Sequence, residues 1–187
     1  VGLDAGIEKV ESIMISDTSL VEFRVKDSVQ RLKALNLNNN RFLEHISGNF
    51  ENITSGLSIS SNSRNTNVSF PKLRNVGSIT IRDVVSLDLS KVEEVGNSAK
   101  FYENKFLELR IEKLNSIGGT LSIIQNSKLK VGDFSRLNVI GGGLMVSNNS
   151  EVENIDFFGK LQTIGGGLQL VGMFKQADFP LLQVIKG

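Results

Sequence analysis

Residues 121–126, with the sequence LSIIQN, and residues 144–149, with the sequence LMVSNN, share one pattern. In both, two apolar residues flank a single intervening residue, and an asparagine follows three positions after the second apolar one. Alternation of this kind is typical of a short strand that buries one face. The two segments begin 23 residues apart, which suggests a strand that recurs at a fixed interval.

The apolar pair recurs along the whole chain. It occurs at Ile13/Ile15, Leu35/Leu37, Leu57/Ile59, Ile79/Ile81, Ala99/Phe101, Leu121/Ile123, Leu144/Val146 and Leu168/Leu170. Successive pairs begin 22, 22, 22, 20, 22, 23 and 24 residues apart. Because one unit of this length cannot bury its apolar face alone, the repeat predicts stacked coils.

An asparagine occupies the third position after the pair in most copies. It is present as Asn40, Asn62, Asn104, Asn126 and Asn149, whereas Thr18, Val84 and Met173 occupy the position in the other copies. Asparagines stacked in adjacent coils can hydrogen-bond to backbone groups at a bend. We therefore expect a ladder of asparagine side chains along the stack.

The second half of each repeat carries apolar residues about three positions apart. These are Phe50/Ile53, Phe70/Leu73/Val76, Leu89/Val92/Val95, Ile111/Leu114/Ile117, Phe134/Leu137/Ile140, Phe157/Leu161/Ile164 and Phe179/Leu182/Ile185. Such a span is too short for a stable helix and predicts a compact arc. Glycines follow most of these arcs, and we expect them to supply a positive-φ corner before the next strand.

Together these features predict an all-β fold, either a right-handed parallel β-helix or a leucine-rich-repeat-like solenoid, with about eight coils of about 22 residues. The variable coil length and the missing helical segment favour the β-helix. Residues 1–187 are expected to form a single continuous solenoid, an excerpt of a longer secreted chain. Eight strands at about 4.8 Å spacing predict a stack about 38 Å long.

The composition argues against several functional classes. Among 187 residues there are 21 basic and 20 acidic side chains, one histidine and no cysteine. A net charge of +1 argues against nucleic acid as a partner. We expect no cofactor and no metal site, because the usual histidine and cysteine ligands are missing.

The pattern also argues against an enzyme. The outward strand positions Asn36, Ser58, Thr80, Lys100, Ser122, Met145 and Gln169 contain no acid. The acids Asp83, Asp88, Glu93 and Glu94 fall in bends and arcs without a common register. Hydrolases of polysaccharides need convergent carboxylates, so no catalytic residue is assigned. His45, next to Glu44, is expected at the surface.

Two segments carry a resemblance to known proteins. Residues 70–81 (FPKLRNVGSITI) and 134–149 (FSRLNVIGGGLMVSNN) resemble the repeats of receptor L-domains. The chain as a whole, including residues 13–62, resembles the fungal GPI-anchored cell-wall organisation proteins, the yeast extracellular-mutant and sporulation-specific group. This resemblance implies an extracellular location at the cell wall or the outer face of the plasma membrane. It also implies N-glycosylation and a GPI anchor outside this segment, which would be the only attachment to the membrane.

The resemblance therefore predicts a non-enzymatic cell-surface glycoprotein module that contributes to cell-wall organisation or spore-wall assembly, as a structural or recognition surface. A receptor-type L-domain that binds a protein ligand is the first alternative, and a carbohydrate-active β-helix enzyme is the second. The expected partner is a cell-wall polysaccharide or a cell-surface protein.

Two sets of candidate site residues follow. Sequons for N-glycosylation begin at Asn52, Asn67 and Asn148. A second outward row of the strands contains Tyr102, Ile124 and Val171, which together with Met145 would form an apolar strip. Exposed apolar strips on solenoids often mark partner surfaces, although a loop can also cover them.

Overall fold

The computed structural model describes residues 2–3, 10–25 and 27–187, the first two by their backbone alone. The described residues form strands, turns and bends, and none of them lies in a helix. No membrane-spanning helix was found among them.

One strand per coil builds the main sheet, at the positions that the apolar pairs predict. These strands are β2 (Ser12–Ser16), β4 (Arg31–Asn38), β6 (Asn52–Ser60), β9 (Ile79–Arg82), β12 (Ala99–Tyr102), β15 (Leu121–Ile124), β18 (Leu144–Ser147) and β21 (Leu168–Val171). All of them pair in parallel with the strands of the adjacent coils. Leu121, for example, lies between Ala99 and Leu144. The predicted parallel solenoid of about eight coils is confirmed.

Shorter strands complete each coil. From Val76 onward, the last apolar residue of each arc lies in a two-residue strand. These strands pair in parallel with one another in a column that begins at the first residues of β6. They are β8 (Asn75–Val76), β11 (Glu94–Val95), β14 (Ser116–Ile117), β17 (Val139–Ile140), β20 (Thr163–Ile164) and β23 (Val184–Ile185). The third side contains β1 (Gly2–Leu3), β3 (Glu22–Val25), β5 (His45–Gly48), β7 (Thr66–Ser69) and β10 (Val84–Asp88), and further along β13 (Glu108–Arg110) with β16 (Val131–Asp133) and β19 (Asn154–Ile155) with β22 (Gln176–Ala177).

The apolar pairs and arcs face inward and form one continuous core. Each arc is a tight turn closed by a backbone hydrogen bond, as from Leu137 N to Phe134 O at 2.9 Å. The expected arc Phe157/Leu161/Ile164 is wrong in its first member. Leu161 N donates to Phe158 O, and the Phe158 ring stacks on that of Phe134 at 5.5 Å. Phe158 therefore begins this arc and keeps the spacing of three.

The predicted asparagine ladder is present, with Asn40, Asn104, Asn126 and Asn149 buried and Asn62 half-buried. Asn126 illustrates it: its Oδ1 accepts from Asn104 N at 3.1 Å and from Asn104 Nδ2 at 2.9 Å. Its Nδ2 donates to Phe101 O at 3.0 Å and to Asn149 Oδ1 at 3.0 Å. Each asparagine thus joins its own coil to the one before it. Asn40 and Asn62 repeat this arrangement in the first coils.

Three positions of the ladder lack an asparagine, and two of them, Thr18 and Val84, show what the side chain contributes. Thr18 donates its backbone N–H and its hydroxyl to Asn40 Oδ1, at 3.1 and 2.7 Å. Val84 can donate only its backbone N–H, to Asn104 Oδ1 at 3.0 Å. The ladder is therefore interrupted between Asn62 and Asn104 while the stacking of the coils continues.

The expected positive-φ corner at the glycines is wrong. Left-handed backbone occurs instead at the residue just before the ladder position, on seven non-glycine residues. These are Asp17, Asn39, Ser61, Asp83, Glu103, Gln125 and Asn148, with φ between 53° and 59°. The turn that presents the ladder thus requires this conformation whichever residue occupies it. Among the described glycines, only Gly172 has a positive φ.

The glycines after the arcs are required by close approach between coils. A Cβ on Gly141 would lie 2.2 Å from Gly118 O, and one on Gly165 would lie 2.1 Å from Gly141 O. No side chain fits there, because the backbones of successive coils are in direct contact. Gly159, by contrast, has no atom within 4 Å of such a Cβ.

We expect Gly141→Ala to lower the free energy of unfolding by about 2 kcal/mol or more, because the neighbouring atom is backbone and the stack must separate to admit the methyl group. Gly159→Ala, the matched control, should change it by less than about 1 kcal/mol and can raise it through the unfolded state. Urea unfolding of both variants measures the difference. Equal effects of the two substitutions would contradict the close contact between coils.

Candidate functional surface

The outer face of the main sheet, which we call the sheet face, carries two outward rows in register. The first contains Met14, Asn36, Ser58, Thr80, Lys100, Ser122, Met145 and Gln169. The second contains Ser16, Asn38 and Ser60, followed further along by Arg82, Tyr102, Ile124, Ser147 and Val171. Both rows follow the register that the sequence predicts. The result is a flat face of hydroxyl, amide and apolar side chains that also carries the cations Lys100 and Arg82.

The apolar strip lies toward the C-terminal half of this face. Tyr102 and Ile124 are neighbours on β12 and β15, and Met145 is two residues before Ser147 on β18. Tyr102, Ile124 and Met145 are half-buried, and Val171 is 40% exposed. Ser147, at 8% exposure, lies between Ile124 and Val171 and interrupts the apolar row. The role of the strip as a partner surface stays a prediction.

An ion pair fixes the end of the strip at Arg82. Its Nη2 lies 2.7 Å from Glu103 Oε2, and its Nε donates to the same oxygen at 2.8 Å. The guanidinium carbon lies 5.7 Å from the centre of the Tyr102 ring. The hydrogen bond to Glu103 is the main cause of a pKa of Arg82 above its usual value. Sequence reasoning missed Glu103, although its spacing of 21 residues from Arg82 follows the repeat.

The three sequon asparagines lie on different sides of the coil. Asn52, half-buried on β6, lines a groove of about 500 Å³ with Arg31, Asn75 and Glu94, and its Oδ1 accepts from Asn75 Nδ2 at 2.8 Å. Asn67, also half-buried, lies on β7, and its Nδ2 donates to Asn65 O at 2.8 Å.

The third sequon begins directly before a ladder residue. Asn148 is exposed and left-handed, whereas Asn149 is buried in the ladder. Only Asn149 is therefore part of the ladder. Asn148, the first residue of the sequon, is not a ladder residue, and its glycosylation stays a prediction.

The acids considered as catalytic candidates have structural contacts. Asp88 Oδ1 accepts from Ser90 N at 3.1 Å, Glu93 pairs with Arg74 at 2.8 Å, and Asp83 lies 3.5 Å from Arg82. The expected surface position of His45 is confirmed, on β5 between Glu22 and Asn67. Within the described part of the chain, no cluster of acids or histidine could hold a metal ion.

Comparison with known proteins gives relatives that cover nearly all of this chain. Sporulation-specific protein 2 of Saccharomyces cerevisiae is 38% identical over 185 residues, 99% of this chain and 37% of the relative. Sporulation-specific protein 22 of the same yeast is 40% identical over 97% of this chain and 39% of its own length. The cell wall mannoprotein PST1 of this yeast is 34% identical over 98% and 41%.

The chain therefore spans about two fifths of the length of these relatives. No family model matches it, so the resemblance of single repeats to receptor L-domains stays a prediction. No solved structure matches it either. The relatives extend over all of the described coils and include proteins named for the cell wall and for sporulation. The chain belongs to the fungal cell-surface family that includes the sporulation-specific proteins and the cell wall mannoproteins.

Proposed function

We propose that this chain is an extracellular, non-enzymatic module of a fungal cell-surface glycoprotein that contributes to the organisation of the cell wall or the spore wall. The similarity to cell wall and sporulation-specific proteins along 97% or more of the chain carries the proposal. The names of these relatives describe wall and sporulation proteins and none describes an enzyme. The parent protein is anchored by a segment outside this chain.

The sheet face is the surface that we propose for recognition of a wall polysaccharide. It is flat along successive coils, which suits an extended polymer chain. Tyr102 offers a ring for the apolar face of a sugar, and Asn38, Ser60 and Thr80 offer hydroxyl and amide groups for its polar edge. The contacts needed for an uncharged polysaccharide thus lie on one surface.

A cell-surface protein is the second candidate partner, because the strip of Tyr102, Ile124, Met145 and Val171 also suits a protein interface. A carbohydrate-active enzyme is the third reading, and release of reducing ends from wall glucans would reveal it. We expect no release, since Asp88 and Glu93 are engaged in structural contacts.

We further propose that Asn52, Asn67 and Asn148 carry N-glycans, since none of the three side chains is fully buried. Expression through the secretory pathway of a yeast should add three glycans, and each Asn→Gln substitution should remove one of them. Mass before and after endoglycosidase treatment measures this. Asn138→Gln, which changes an exposed asparagine outside any sequon, is the matched control. If substitution of one asparagine leaves the mass of the removable glycans unchanged, occupancy of that sequon is contradicted.

Recognition through the sheet face predicts saturable binding to a wall polymer. The purified chain should co-sediment with insoluble β-glucan or chitin, whereas a helical solenoid of similar charge should not. Tyr102→Ser combined with Ile124→Ser should weaken this binding about tenfold or more, because both contacts with the polymer are removed. Leu107→Ser combined with Val131→Ser is the control, since these exposed residues lie outside the sheet face.

The thermal midpoint of unfolding shows whether the apolar strip belongs to the surface or to the core. The Tyr102 and Ile124 variant should unfold within a few degrees of the wild type, and a large loss would show that the strip belongs to the core. Failure of the wild type to pellet with any of the polymers would contradict polysaccharide recognition and favour a protein partner.

A further inference from the structure

A basic side chain occupies the same turn in five successive coils. In each arc it is the residue just before the second apolar member. The residues are Lys72, Lys91, Lys113, Arg136 and Lys160, and we call them the basic row. Lys113 is half-buried and the other four are exposed. In the last arc, Phe179/Leu182/Ile185, Leu181 occupies this position and the row ends.

Backbone hydrogen bonds keep the arcs in register. Asn115 N donates to Glu93 O at 2.8 Å, Asn138 N to Asn115 O at 2.9 Å, and Gln162 N to Asn138 O at 2.9 Å. The basic residues precede these positions by two in every coil. At about 4.8 Å per coil, five positive charges form a line about 19 Å long.

Among the described residues, no member of the basic row takes part in an ion pair or a side-chain hydrogen bond. The acids just before two of the arcs already accept backbone hydrogen bonds. Asp133 Oδ1 accepts from Ser135 N at 2.9 Å, and Asp88 Oδ1 accepts from Ser90 N at 3.1 Å. Glu112 lies within the turn that also contains Lys113, its neighbour in the sequence. Five like charges in line oppose stacking, so the row is not explained by stability.

A row of side-chain amides runs beside the C-terminal part of the basic row. It consists of Asn115, Asn138, Gln162 and Gln183, all exposed. The same position beside Lys72 and Lys91 holds Arg74 and Glu93, which form an ion pair at 2.8 Å. Amide groups both donate and accept, which suits the hydroxyl groups of a sugar. The arcs therefore combine a line of cations with a line of hydroxyl-binding groups, on a side of the coil distinct from the sheet face.

We propose that the basic row and the amide row bind a linear anionic polysaccharide that carries phosphodiester groups. A single line of charges fits one extended chain with repeated negative groups, and the amides fit the hydroxyls between them. The net charge of the chain is only +1, so the attraction is local to this surface. The choice of a glycan rests on the extracellular wall location proposed above.

The test measures binding of a soluble mannan rich in phosphodiester groups and of the same mannan after dephosphorylation. The row variant is Lys91→Gln with Lys113→Gln and Arg136→Gln. The control variant is Lys105→Gln with Lys128→Gln and Lys130→Gln, three exposed lysines outside both the sheet face and the basic row, with the same change in net charge. Calorimetry at low and at physiological salt gives the affinities, and thermal midpoints show that both variants fold.

We expect the wild type to bind the phosphorylated mannan, more weakly at higher salt, and not to bind the dephosphorylated one. The row variant should lose about tenfold or more in affinity, since three charge contacts disappear. The control variant should stay within about twofold of the wild type. Equal losses in both variants, or absence of binding by the wild type, would overturn the proposal.

Two further measurements separate this proposal from its alternatives. Binding to phosphatidylserine vesicles that is tighter than to the mannan and lost in the row variant would assign the row to a membrane and overturn the polysaccharide. The variant Tyr102→Ser with Ile124→Ser should bind the phosphorylated mannan like the wild type. Failure of the sheet face to recognise insoluble polymers is thereby distinguishable from failure of the basic row.

Discussion

The asparagine ladder is the interaction on which the stack depends most directly. At five of the bends, an asparagine accepts a backbone N–H of the preceding coil and donates to a carbonyl of that coil, as the buried Asn126 does with Asn104 N and Phe101 O. The bend must bury backbone groups to bring the chain around, and buried groups without partners are costly. The side chain satisfies them while it fixes which residue lies above which.

Because the coils stack in register, residues that recur along the sequence form rows on the surface. When each coil places its residues above those of the coil below, a residue type that recurs every 19 to 24 positions becomes a line of similar groups. The sheet face and the basic row both arise in this way, on different sides of the coil. A solenoid of this kind can therefore present separate linear surfaces for separate polymers.

The sequence predicts the interior better than the turns. Apolar pairs and the ladder are periodic and buried, so their spacing alone places Leu121 beside Ala99 and Asn126 beside Asn104. The left-handed corner was misplaced because unlike residues, from Asp83 to Gln125, adopt it under the constraint of the bend. The glycines were given a conformational role, whereas contact between coils, as at Gly141, explains them.

The candidate surfaces were predictable only in part. The register of Tyr102 and Ile124 follows from the repeat, but the contact of Arg82 with Glu103 depends on side-chain conformation. The basic row was visible in the sequence as a recurrence of Lys or Arg before the second apolar residue of the arc. Aligning the polar positions of the arcs, and not only their apolar ones, would have found it.

The free energy of unfolding of Asn126→Ala tests the role of the ladder most directly, against Asn138→Ala, which removes an exposed amide outside it. Loss of the Asn126 side chain leaves buried Asn104 N and Phe101 O without these partners. In urea unfolding we expect Asn126→Ala to cost about 2 to 4 kcal/mol and Asn138→Ala less than about 0.5 kcal/mol. Similar costs for the two variants would contradict the account, because the stack would then hold its register without the ladder.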